Sequence, residues 1–155
     1  MYFSRKCKIT FICHGATIYS DEFRFSDVDT YPPLSDAGQE EMEKICDYLK
    51  RRAIKNDRIY TSPATRTVQS AQMVAKVYKM NFCILDDLHP RKCGAFNGLT
   101  FEQVEAKYPQ ELERLITQPD VRTPDDAESL NEFIQRVSAT INKIVDENNS
   151  SRVII

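Results

Sequence analysis

The chain has 155 residues, enough for one domain whose folding removes about two thirds of the unfolded surface from water. Its 41% hydrophobic content, with only 4 Gly and 7 Pro, excludes disordered, collagen-like and repetitive classes. Twenty-one basic and 23 acidic residues leave a net charge of −2, which gives no overall pull toward nucleic acid or an anionic membrane.

Lys8-Ile9-Thr10-Phe11-Ile12 is β-rich and predicts a strand that ends in a Cys13-His14-Gly15 turn. Residues 16–34 are polar and aromatic, close on Tyr31-Pro32-Pro33 and read as a loop. Ser35 or Asp36 then caps a helix in which Met42, Ile45, Cys46 and Leu49 recur at helical spacing. Asp57-Arg58-Ile59-Tyr60 reads as a second strand. Ser62-Pro63 opens a helix running to about Tyr78, with Val68, Ala71, Ala75 and Tyr78 on its inward face. Phe82-Cys83-Ile84-Leu85 is a third strand, followed by an irregular stretch through Gly98 and a helical insertion around Phe101–Ile116. Leu130, Phe133, Ile134, Val137, Ile141, Ile144 and Val145 mark a long amphipathic helix, and Val153-Ile154-Ile155 begins a strand.

Strands alternating with helices imply an α/β fold, a three-layer sandwich with a mainly parallel central sheet flanked by helices. Residues 1–155 read as a single domain. Stopping inside an apolar strand suggests that a C-terminal strand, turn and helix are missing from this chain. Five cysteines with no C-x-x-C pair argue against a zinc site or disulfide framework and for reduced thiols, so a cytoplasmic location is expected. The N-terminus shows no signal-peptide pattern, and no apolar run approaches the roughly 20 residues a membrane span needs. No metal and no cofactor is expected.

Loops at the carboxyl ends of parallel strands are where α/β folds place their chemistry, and His14 sits at such a position, directly before Gly15. A neutral imidazole there can attack a phosphoryl group and form a covalent phosphohistidine, which splits one hard step into two.

Five segments in order carry a resemblance. Phe11-Ile12-Cys13-His14-Gly15-Ala16-Thr17 resembles an R-H-G-E-T/S opening, and Pro33-Leu34-Ser35-Asp36-Ala37-Gly38 a P-L-T-x-x-G helix entry. Residues 60–71, centred on Arg66, are similar to S-x-x-x-R-x-x-Q-T-A. Leu88, Gly94, Phe96 and Gly98 keep the spacing of L-x-E-x-x-x-G-x-W-x-G, and Ala127-Glu128-Ser129 with Arg136 resembles G-E-S…R. Together these resemble the histidine phosphatase (phosphoglycerate mutase-like) superfamily. The resemblance implies that His14 accepts the phosphoryl group and that Arg66 clamps phosphate. It extends to Gly15 and Ser20 as phosphate-loop residues, and to a small phosphorylated substrate or inorganic phosphate as the partner.

The departures are specific. Cys13 replaces the arginine before the nucleophile and cannot carry its charge. Pro90 replaces the acid of the L-x-E block, and His89, Asp86 and Asp87 are its neighbours; His89 is the candidate proton donor. The family's second histidine would fall just beyond Ile155. A cysteine phosphatase needs C-x₅-R around a phosphate-cradling loop. The pair Cys46…Arg52 matches those letters but falls within a predicted helix, with Cys46 on its apolar face. No P-loop or dinucleotide glycine pattern occurs. Two readings follow. One is phosphomonoester hydrolysis through a phosphohistidine; the other is a catalytically degenerate relative that binds a phosphorylated ligand or a protein. A mutase would need further cations for a second substrate anion, and the sequence offers no such cluster.

Overall fold

A computed structural model describes residues 6–27 and 31–155, and in it parallel pairing sets the architecture. Strand β1 (Lys8–Thr10) pairs with β4 (Arg152–Ile154), β4 with β2 (Arg58–Thr61), and β2 with β3 (Cys83–Ile84), all parallel, in the order β1-β4-β2-β3. The strand formed last in the chain therefore lies inside the sheet, beside the first.

Helices cover both faces. On one face α2 (Asp36–Arg52) and α3 (Thr65–Tyr78) pack Met42, Cys46, Leu49, Val74 and Ala75 against Ile59 and Ile154. On the other, α6 (Leu130–Glu147) sets Ile141 and Ile144 against Tyr60 and Val153. Alternate residues of β2 and β4 thus point to opposite layers, as the pleat requires. The expected three-layer α/β sandwich is what the chain forms. A third cluster, Phe96, Val104 and Leu112 with Phe25 and Tyr108 around them, seats α4 (Phe101–Lys107) and α5 (Pro109–Thr117) beside the 93–99 segment.

Local chemistry explains the boundaries and the differences from expectation. Ser35 caps α2 by accepting from the Gly38 amide, and Ser129 and Glu132 close a reciprocal capping box at the start of α6. The first strand ends at Thr10 rather than Ile12, and Phe11 is 67% exposed. The 16–34 segment holds a one-turn helix, α1 (Ile18–Asp21), stabilised by a Thr17–Ser20 capping box. The single insertion predicted over residues 101–116 is two helices. Pro109 has no amide hydrogen to continue α4 and disfavours helical backbone at Tyr108, whose φ is −137° and ψ 50°. On α3 the inward face includes Val74, 2% exposed, while the expected Val68 is only half-buried. Among the described residues no helix is long and apolar enough to cross a membrane.

Candidate active site

The carboxyl ends of β1, β4 and β2 open onto a cavity of about 510 Å³. Its wall includes Cys13, His14, Ser62, Arg66, His89 and Pro90 at the polar end, and Phe133, Val137 and Ile141 of α6 beyond them. The expected nucleophile, phosphate clamp and proton donor therefore share one crevice.

His14 is fixed by two contacts that settle its tautomer. Its Nδ1 lies 2.7 Å from the Gly15 carbonyl oxygen, which can only accept, so Nδ1 carries the ring hydrogen. The Arg66 Nε–H donates to Nε2 at 3.0 Å, so Nε2 presents a lone pair. Burial pushes the imidazole below its ordinary 6.5; the Gly15 carbonyl and Glu41 oppose that, and the Arg66 cation adds to it. The result is a neutral imidazole whose bare nitrogen faces a guanidinium.

Arg66 is 7% exposed and is the second residue of α3. No side chain caps this helix. Arg66 Nη1 also donates to Ser26 Oγ at 3.3 Å. Both acceptors are neutral, which leaves the charge available to an anion. At the turn into α3 the hydroxyls of Ser62 and Thr67 lie 2.7 Å apart and line the same crevice.

Gly15 has a packing role in this loop. It supplies the carbonyl that orients His14, and a Cβ on it would lie 2.2 Å from the Gly38 carbonyl oxygen. Gly38 in turn passes so close to Ala16 that a Cβ there would lie 2.0 Å from its carbonyl oxygen. Two glycines thus let the His14 loop rest on the first turn of α2. Glu41, one turn further on, accepts the Ala16 amide at 2.9 Å. Sequence reading took Gly38 only as a letter of the helix-entry motif and passed over Glu41; the signal for the close approach was a glycine inside the first turn of an otherwise regular helix.

Ser20 stands apart from the crevice. Its Oγ accepts the Thr17 amide and donates to the Thr17 carbonyl, both at 2.7 Å, so the hydroxyl is occupied by the α1 cap. Cys13 is exposed at the rim, and Pro90 lines the wall where the resemblance places an acid. His89 has its Nδ1 2.7 Å from the Pro90 carbonyl oxygen, which leaves Nε2 as its other functional atom. Cys46 is buried on the apolar face of α2, so its pairing with Arg52 is only a match of letters. Among the described residues no group of three or more His, Cys, Asp and Glu side chains could hold a metal ion.

A family model described as histidine phosphatase superfamily (branch 1) matches residues 9–155. The chain belongs to this superfamily. As a histidine phosphatase superfamily member it is 25% identical over 153 residues to phosphoglycerate mutase-like protein 4 of Arabidopsis thaliana, covering 96% of this chain and 64% of that protein. It is 26% identical over 113 residues to phosphoserine phosphatase 1 of Hydrogenobacter thermophilus, covering 73% of this chain and 53% of that protein. The chain thus spans less than two thirds of the length of either relative. Among solved structures, Bacillus stearothermophilus YhfR superposes with a TM-score of 0.87 at 21% identity, over 96% of this chain and 72% of that one. That likeness establishes the fold.

Proposed function

We propose that this crevice carries out phosphatase-type phosphoryl transfer on a small phosphorylated metabolite. The His14 Nε2 lone pair attacks phosphorus, and the bond from phosphorus to the ester oxygen breaks. The leaving oxygen takes a proton from His89 in its imidazolium form. Water then attacks the phosphohistidine, giving inorganic phosphate and free His14, with His89 accepting the proton back. Arg66 leaves Nε2 when the substrate arrives and donates its fork to phosphate oxygens, where a fixed cation stabilises charge as it builds. The reaction needs no cofactor, and the odd, unpaired cysteines fit a reducing cytoplasm.

The observation that carries this reading is the pairing of a tautomer-fixed Nε2 with a buried guanidinium at 3.0 Å. Membership of the superfamily and a phosphoserine phosphatase among the relatives support phosphoryl transfer as the class of chemistry. Among the described residues Arg66 is the one Lys or Arg lining the cavity, which favours hydrolysis over mutase chemistry, since the latter must hold a second anion.

A second reading, a binding module for a phosphorylated ligand or a protein, is favoured by one specific feature: Cys13 and Pro90 remove a cation and an acid from this wall. Turnover of para-nitrophenyl phosphate by the native protein and by His14→Ala separates the two. The proposal expects turnover that depends on His14; equal rates for both proteins would remove it, and phosphate binding without turnover would support the binding module.

A further inference from the structure

The Glu128–Arg136 motif has no part in the chemistry described so far. Ser129 beside it is accounted for as the cap of α6. The other two residues form the most enclosed ion pair among the described residues, with side chains 12% and 16% exposed. Arg136 Nε donates to Glu128 Oε1 at 2.9 Å and Nη2 to Oε2 at 2.7 Å, a parallel two-bond fork.

The third nitrogen turns away from this pair. Arg136 Nη1 donates to the carbonyl oxygens of Asp87 at 2.7 Å and His89 at 3.1 Å. The Glu128 backbone adds two more ties: its amide donates to the Lys92 carbonyl at 3.0 Å, and its carbonyl accepts from Arg91 Nε at 2.8 Å. The segment from 87 to 92 is therefore strapped to the entry of α6 on both sides of His89 and Pro90. It follows a two-residue strand and contains one 3₁₀ turn, Asp86–Leu88, so the sheet itself holds it weakly. A guanidinium can bridge a carboxylate and two carbonyls at once because its donors are fixed in one plane; an ammonium on a flexible stem cannot reproduce that.

We infer that Arg136, anchored by Glu128, is a positioning residue that holds His89 in the crevice shared with His14. The inference rests on the proposed roles of His14 and His89. Without the strap the two carbonyls would turn to water, and the loop carrying the proton donor would lose its register against α6. Small misplacements of a reacting group are expensive: about 1 Å can cost two orders of magnitude in rate.

The test uses Arg136→Lys, which keeps a cation for Glu128 but not the planar bridge, and Glu128→Gln as a second variant that keeps the shape of the anchor. With para-nitrophenyl phosphate, each lowers kcat about tenfold or more, with KM changed less than about twofold. In a His89→Ala background the same substitutions change kcat by less than about twofold, because the residue they position is gone. Full additivity of the two losses overturns the inference. A second readout is independent of turnover. His14 and His89 are the chain's two histidines, so the ring Cε1–H region of the proton spectrum holds two signals. Arg136→Lys shifts the His89 signal and leaves that of His14 in place; an unmoved His89 signal overturns the inference. Should His14→Ala keep native turnover, the proposed reaction fails on its own account and the ring signal alone decides the strap.

Discussion

The wall that carries His14 and Arg66 is held by close backbone approach, whereas the wall that carries His89 is held by an ion pair reaching across from α6. In the first, Gly15 and Gly38 pass within distances that exclude any Cβ, and short contacts set both ring nitrogens of His14. In the second, a segment without sheet pairing of its own depends on Arg136 and Glu128, which lie 47 and 39 positions beyond His89 in the sequence. The difference teaches which wall tolerates change. Local packing leaves little backbone freedom around His14, where both glycines of the family pattern are kept while Cys13 and Ala16 stand at its Arg and Glu. The far wall is tied through side chains, and that is where Pro90 has replaced an acid.

The largest expected effect is at the rigid wall. Arg66→Ala removes the cation from the phosphate region and lowers kcat by about 10²–10³, equivalent to roughly 3–4 kcal/mol of transition-state stabilisation. A loss confined to KM would mean that the guanidinium serves ground-state binding alone. Next is Gly38→Ala, whose methyl group would meet the Ala16 carbonyl oxygen at 2.0 Å. The loop must shift, at a cost of about 1–3 kcal/mol, visible as a lower midpoint in denaturant with unchanged slope. A neutral result would show that the loop is not pinned by this contact.

These two positions also show what could be read in advance. The order of strands and helices followed from apolar spacing, since α2 buries Met42, Cys46 and Leu49 as its period requires. His14 and Arg66 were legible because each lies just past a strand, where parallel sheets present their loops to one crevice. Gly38 was visible as a motif letter, but its reason was not legible, because that reason is the carbonyl of a residue 22 positions away that must pass over it. The Thr17–Ser20 cap was missed for the opposite reason. It is wholly local, but one turn of helix carries no apolar period, and it occupies the hydroxyl assigned to phosphate. The contribution of Glu128 and Arg136 was visible as letters of a motif, yet their hold on the Asp87 and His89 carbonyls needed the tertiary fold.

A smaller effect tests the missing cation. Cys13 is exposed at the cavity rim, so Cys13→Arg has room to restore a guanidinium and should raise kcat/KM for a phosphomonoester about tenfold. No gain would mean that the new side chain does not reach the phosphate.

The smallest effect concerns pH. Burial, with the Arg66 charge added, lowers the His14 pKa in the folded chain, so the neutral imidazole persists below the ordinary 6.5. The acid limb of kcat/KM should therefore have its midpoint below 6.5. The same depression makes a contribution to stability that is present above 6.5 and lost as pH falls through the folded-state value. An acid limb at or above 6.5 would assign the limiting titration to another group.

The most direct measurement is a crystal structure of the protein with orthovanadate, which takes the five-coordinate shape of a phosphoryl group in transfer. Vanadium bonded to His14 Nε2, with the Arg66 fork turned from that nitrogen onto the vanadate oxygens, is the predicted result. Vanadate bound elsewhere, with Arg66 still donating to Nε2, would contradict the account.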